Sequence, residues 1–174
     1  QELHMPVIGM EPALKPASLL PGDGYVVVMA THMTLTQPKF LRLMERYGQN
    51  ALPVPCPGLM ECVEAGVFSG PRVEGLLDRL LASVRGMPVK AVVLGCTHYP
   101  FLRGAISRCF APGTPLIDGN LGTARQLRRR LEEEGLLSPG PGGAVSFHSS
   151  QEGGEAEARM RCMLKLWQET TERV

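Results

Sequence analysis

The chain has 174 residues and a net charge of +1, from 18 basic and 17 acidic side chains; 44% of residues are hydrophobic and 20% charged. That length and balance fit one good-sized domain or two small lobes, and the charge gives no support for a nucleic-acid partner or an anionic membrane surface. The longest apolar runs, such as "YVVVMA", are far too short to cross a bilayer, and no charged segment followed by an apolar one opens the chain, so a cytoplasmic protein is expected.

In chain order, "MPVIGM" (5–10) predicts a strand and "YVVVMA" (25–30) a buried strand. A helix follows over 37–47, with Phe40, Met44 and Tyr47 on one face. "ALPVPC" (51–56) is a short strand, and "GLMECVEAG" a short helix closed by Gly66. A longer helix spans 72–85, its apolar stripe made of Val73, Leu76, Leu77, Leu80, Leu81 and Val84. "VKAVVLG" (89–95) is the clearest buried strand, and "PFLRGAISRCF" (100–110) a helix with Pro100 in its first turn. "TPLID" (114–118) is a strand. A helix over 121–135 turns Leu121, Ala124, Leu127 and Leu131 inward. "RQLRRRLEEEG" (125–135) reads as a solvated face with i,i+4 ion pairs. After "SPGPGG", "AVSFH" (144–148) is a last strand, and a final helix over 154–168 packs Ala156, Met160, Met163, Leu164 and Trp167.

Strands alternating with helices predict an α/β fold with a doubly wound parallel sheet, in which ligands bind at the carboxyl ends of the strands. Those ends are "ATHMT" (30–34), "CPGLME" (56–61), "GCTHYP" (95–100) and "DGN" (118–120). The organisation expected is an interdomain strand or linker over 1–20, an α/β lobe over 21–115 carrying Cys96, and returning strands and helices of a second, incomplete lobe over 116–174.

Five cysteines, an odd count with no CxxC pair, argue for reduced thiols and against a zinc knuckle. Cys96 closes the best strand just before a helix, whose N-terminus would lower the thiol pKa. Thr97 can cap that helix or hold a carboxylate, and His98 can relay a proton. The bland alternative makes Cys96 a small buried hydrophobe and His98 a satisfied loop histidine. Cys109 and Cys162 read as packing residues on helices. Thr31, His32, Thr34 and Thr36 offer hydroxyls for a carboxylate or ammonium, and helix capping competes with that role at Thr36. Glu64 can orient a histidine or accept its proton, whereas Glu61 reads as a solvated face.

At "LGCTHYPFL" the chain resembles the glutamate racemases of the cofactor-independent aspartate/glutamate racemase superfamily. The similarity extends over "PVIGMEPALKPA", "VVVMATHMTLTQPKF", "PCPGLMECVEAG", "PLIDGN" and "FHSSQ". The resemblance implies an isomerase that interconverts L- and D-glutamate with two thiols, one on each face of the α-carbon, and without pyridoxal phosphate, any other cofactor or a metal. It implies that Cys96 is a catalytic base acting on the L-isomer, assisted by His98. Thr97, Thr34 and Thr31 bind the substrate, and Glu64 supports the histidine. It also implies a cytoplasmic enzyme supplying D-glutamate for peptidoglycan and cell shape, with glutamate as its small-molecule partner and room for a homodimer. The family's amino-terminal motifs, including the first catalytic cysteine in "CNTAS", do not occur here, and the chain opens on Gln1. The expectation is therefore a truncated racemase with one catalytic cysteine, little turnover in isolation, and exposed apolar surface on "LIDGN", "AVSFH" and the last helix. Three alternatives stand beside it. One is a hydrolase or transferase with Cys96 as nucleophile, disfavoured because side chains at i and i+2 of a tight turn seldom meet. The others are a non-catalytic binding fragment of the same fold, and an aspartate racemase.

Overall fold

A computed structural model describes residues 5–140 and 142–171. It divides into two units, residues 1–135 and 136–174.

The first unit is α/β, built on four parallel strands: β1 (Tyr25–Ala30), β2 (Ala51–Pro55), β3 (Val89–Leu94) and β4 (Leu116–Ile117), in the order β2-β1-β3-β4. β1 pairs Val26 with Ala51 on one side and with Ala91 on the other; β3 pairs Val92 with Leu116. Apart from Lys90 at the start of β3, β1 and β3 are apolar on both faces, which the central position of a parallel sheet requires. On one face Val26, Val28, Ala91 and Val93 pack against Leu14 and Ala17 of a short helix, α1 (Leu14–Ser18), and against Phe40 and Leu43 of α3 (Pro38–Tyr47). Side-chain alternation sends Val27, Met29, Val92 and Leu94 to the opposite face, and all four are buried.

The connections are helical. A short α2 (His32–Thr36) and α3 join β1 to β2. α4 (Leu59–Glu64), α5 (Pro71–Leu80) and a 3₁₀ turn at Ala82–Val84 join β2 to β3, with Gly66 at φ 71° ending α4 as expected. Val73, Leu77, Leu81 and Val84 of the predicted stripe are buried. After β3 the chain forms a 3₁₀ turn (Tyr99–Leu102) and α6 (Arg103–Ser107), then β4 and α7 (Asn120–Glu133). Tyr99 and Leu102 are fully buried, so this segment is nailed to the core directly behind the β3 end.

Several expectations are corrected. Residues 5–10 form no strand; the apolar Met5, Val7 and Met10 are 65%, 70% and 46% exposed, and helix α1 follows where a linker was expected. The inward face predicted for the 121–135 helix does not exist. α7 buries no residue, and Leu121 and Leu127 are 61% and 47% exposed. Its charged face does carry the expected ladder, with Arg128–Glu132 at 2.9 Å and Arg130–Glu134 at 3.1 Å. In the second unit residues 144–148 are not a strand, and the last helix is α8 (Glu155–Thr171), on which Met160, Met163 and Trp167 are only half-buried. Cys109 and Cys162, expected to be packed, are exposed.

Candidate active site

The strand order places the carboxyl ends of β1 and β3 side by side at the point where successive connections leave the sheet on opposite sides, the place where open α/β sheets bind ligands. A crevice of about 250 Å³ opens there. It is lined by Thr31 and Thr34 from the β1 end, by Gly95, Cys96 and Thr97 from the β3 end, and by Glu11 and Asn120.

Each side chain is held by its own local structure. Thr31 caps α2, its Oγ1 accepting the Thr34 N–H at 3.2 Å, and the two hydroxyls sit 2.9 Å apart. Thr36 is not an N-cap; its hydroxyl donates back to the His32 and Met33 carbonyls. His32 is exposed and lines no part of the crevice. Gly95 donates its N–H to the Met29 carbonyl at 2.7 Å, locking the turn that follows β3 onto β1.

That turn brings together the side chains that were expected not to meet. Cys96 Sγ lies 3.6 Å from His98 Nδ1, and Thr97 Oγ1 lies 3.5 Å from the same nitrogen. On the far side of the ring, His98 Nε2 is 2.8 Å from Glu64 Oε1 on α4. With a carboxylate at Nε2, the neutral imidazole carries its proton there and presents a lone pair at Nδ1 toward the thiol. The sequence thus placed Cys96, Thr97, His98, Thr31, Thr34 and Glu64 in one neighbourhood, and the structure brings them all there. It divides them into a crevice wall (Thr31, Thr34, Cys96, Thr97) and a hydrogen-bonded pair beside it (His98, Glu64).

The electrostatics of Cys96 differ from expectation. Partial burial pushes its thiol pKa up, and the nearby Glu61 carboxylate adds to the rise. The His98 and Tyr99 N–H groups pull it down without reversing the balance, because only a short 3₁₀ turn follows the sulfur rather than a full helix N-terminus. On balance these effects favour the thiol over the thiolate, and His98 Nδ1 stands 3.6 Å from the sulfur. Glu61, read from sequence as a solvated face, is exposed.

Two further cysteines are buried, and Cys56 sits behind the site. Its N–H donates to the Ala30 carbonyl, and the Tyr99 hydroxyl donates to the Cys56 carbonyl at 3.2 Å. Burial pushes the Cys56 thiol from 9.0 up to about 12. The unfolded thiol ionises near 9.0 while the folded one keeps its proton, so the folded state holds more protons between those values. Cys56 is expected to cost nothing below pH 9 and to lower stability by about 1.4 kcal/mol per pH unit above it, until the folded thiol also ionises. Urea titrations of the wild type and Cys56→Ala from pH 8 to 11 check this; stability of the variant should fall less steeply than that of the wild type above pH 9, by about that amount.

Sequence reasoning missed the Met10–Pro12 segment of the crevice, having read 5–10 as a strand, whereas "DGN" was marked as a strand end and supplies Gly119 and Asn120. Among the described residues no group of three or more His, Cys, Asp or Glu side chains is placed to hold a metal ion, and no helix is long and apolar enough to cross a membrane.

Comparison with known proteins gives one consistent result. The Asp/Glu/Hydantoin racemase family matches residues 1–127. A glutamate racemase of Clostridium perfringens is 47% identical over 136 residues, covering 77% of this chain and 52% of that protein. One of Clostridium kluyveri is 46% identical over 129 residues, covering 74% and 50%. The solved Escherichia coli glutamate racemase, in complex with L-glutamate and the activator UDP-MurNAc-Ala, superposes with a TM-score of 0.66 at 30% identity, covering 75% of this chain and 51% of that one. The Thermus thermophilus glutamate racemase, in complex with β-chloro-D-alanine, gives 0.65 at 35%, covering 79% and 51%. The chain spans about half the length of the curated relatives it matches.

Proposed function

Because the chain belongs to the Asp/Glu/hydantoin racemase family, we propose that its crevice moves the α-hydrogen of glutamate as one side of a cofactor-independent L/D interconversion. The observation that carries this is the row Cys96–His98–Glu64, with Sγ on the crevice and 3.6 Å and 2.8 Å steps behind it.

His98 Nδ1 takes the thiol proton, and Glu64 stabilises the imidazolium that results. The thiolate then removes the α-hydrogen of the L-isomer, or, running backwards, the thiol returns it. Thr31, Thr34 and Thr97 hold the amino acid by their hydroxyls. Inversion needs a second proton carrier on the opposite face of the α-carbon, and among the described residues Cys96 is the one thiol lining the crevice. In this reading the second carrier comes from outside these residues, and the D-glutamate formed serves peptidoglycan synthesis.

The test is to incubate the chain with L- or D-glutamate in D₂O and follow the α-proton by NMR and the optical sign by circular dichroism. One thiol exchanging with solvent should replace the α-hydrogen of one enantiomer by deuterium with retention of configuration and little net racemisation. Exchange that survives Cys96→Ser, or no exchange in the folded wild type, would rule the reading out.

A further inference from the structure

Two polar side chains on the crevice, Glu11 and Asn120, remain unused by this mechanism, and Glu11 is paired with Lys39. Asn120, the first residue of α7, lines the crevice with Glu11, Thr31, Thr34 and Thr97. Its backbone is fixed, since its N–H donates to Asp118 Oδ1 at 3.0 Å. Asp118 Oδ2 in turn accepts Arg103 Nη2 at 2.6 Å, while Arg103 Nη1 donates to the Leu116 carbonyl at 2.7 Å. The Asp118 side chain is only 14% exposed, while its Arg103 partner is 43% exposed. Gly119 closes the other side; a Cβ there would lie 3.1 Å from the Glu11 carbonyl. Asn120 is therefore held at the crevice wall, and its side-chain amide makes no hydrogen bond among the described residues.

The charge of the wall gives that amide its role. Among the described residues no lysine or arginine lines the crevice, and the one charged side chain that does is Glu11, paired with Lys39 at 3.4 Å. A dicarboxylic amino acid brings two carboxylates and one ammonium. Without a cation on the wall, the carboxylates must be met by neutral donors, meaning threonine hydroxyls, backbone N–H groups and a carboxamide, which offers two protons from one nitrogen. We propose that Asn120 is a further substrate-contact residue whose side-chain amide donates to a carboxylate of bound glutamate, held in register by Asp118 and Arg103. The inference rests on reading the Cys96 crevice as an amino-acid site.

The experiment uses the full chain. Iodoacetamide modification of Cys96 is followed by peptide mass spectrometry, with L- and D-glutamate as protectants, in the wild type, Asn120→Ala and Asn120→Asp. Glutamate should protect the wild type. The concentration for half-protection should rise about tenfold in Asn120→Ala, the loss of one hydrogen bond to a charged group, and about a hundredfold in Asn120→Asp, where carboxylate faces carboxylate. The aspartate variant separates binding from folding. A carboxylate in the first turn of a helix is favoured by the helix dipole, so its melting temperature should hold or rise while its binding falls. Equal half-protection concentrations in all three proteins, or tighter binding by Asn120→Asp, overturn the contact and leave the amino-acid site standing. Absence of protection in the wild type overturns the site reading and this contact with it.

Discussion

Glu64→Gln is expected to leave the chain folded and to slow α-hydrogen exchange at glutamate about a hundredfold, the low end of what a positioned proton-transfer group contributes. The reason is the 2.8 Å contact between Glu64 Oε1 and His98 Nε2. The carboxylate can only accept there, so the ring must carry its proton on Nε2 and offer Nδ1 to Cys96. A carboxamide can instead donate to Nε2, which moves the ring proton to Nδ1 and removes the acceptor that the thiol needs. It also removes the negative charge that balances the imidazolium. Because burial already holds the Cys96 thiol above its ordinary pKa, the resting thiolate fraction does not compensate for a lost base. In the proposed mechanism Glu64 is a positioning residue, and its signature is kinetic. The exchange rate should fall and its dependence on pH should move upward toward the ionisation of the thiol itself, while the concentration of glutamate needed for half-maximal rate stays within about twofold, because the carboxylate acts through the ring and not on the substrate. An unchanged pH profile would show that His98 does not serve as the acceptor. His98→Gln should lose at least as much as Glu64→Gln, and the double variant no more than His98→Gln, since the two act as one unit.

Gly95→Ala should damage stability and chemistry together. Gly95 joins β3 to Cys96, and its N–H is bonded to the Met29 carbonyl. A Cβ at this position would lie 2.9 Å from that same Met29 oxygen, 3.1 Å from Ala30 Cβ and 3.4 Å from Pro12 Cβ. The nearest obstacle is backbone of a central strand, which cannot move aside as the end of a flexible side chain can. Relief must come from parting the ends of β1 and β3, at an overpacking cost of about 1–3 kcal/mol. That motion carries Cys96 away from Thr31 and Thr34, so glutamate protection of the thiol should weaken along with the fold. Gly104→Ala is the control. Gly104 lies exposed on α6 with nothing within 4 Å of its would-be Cβ, so alanine there should be neutral or add up to about 1 kcal/mol of helix stability. Denaturant titration of both variants beside the exchange assay decides the matter. A Gly95→Ala protein as stable as Gly104→Ala would mean that the two strand ends are not as tightly joined as their geometry implies.

The residues alone determined the parallel α/β class, the two central strands and the position of the thiol. Runs such as Val26–Ala30 and Ala91–Leu94 are apolar at every position, which leaves no solvated face and demands cover on both sides. Strand ends are local features, so Thr31, Thr34 and the Cys96–Thr97–His98 turn could be placed from the chain itself. Where a stretch was merely apolar, the same reasoning failed. Residues 5–10 and 144–148 have strand-like composition but pair with no strand among the described residues, and α7 has helical spacing of leucines yet buries none of them. Periodicity reports what a segment is able to bury; whether a partner stands opposite is a property of the assembled chain.

Tertiary structure alone decided the chemistry around the sulfur. Glu64 and His98 are 34 residues apart and meet because α4 and the turn after β3 pack against each other behind the sheet. The direction of the Cys96 pKa followed from burial, which no spacing of residues encodes, and it came out opposite to the effect expected of a helix N-terminus. Asn120 lines the crevice where the Arg103–Asp118 pair ties the start of α7 to α6. Local sequence sets which groups each strand end offers. Only the crossing of the connections over the sheet sets which of those groups come within reach of one another.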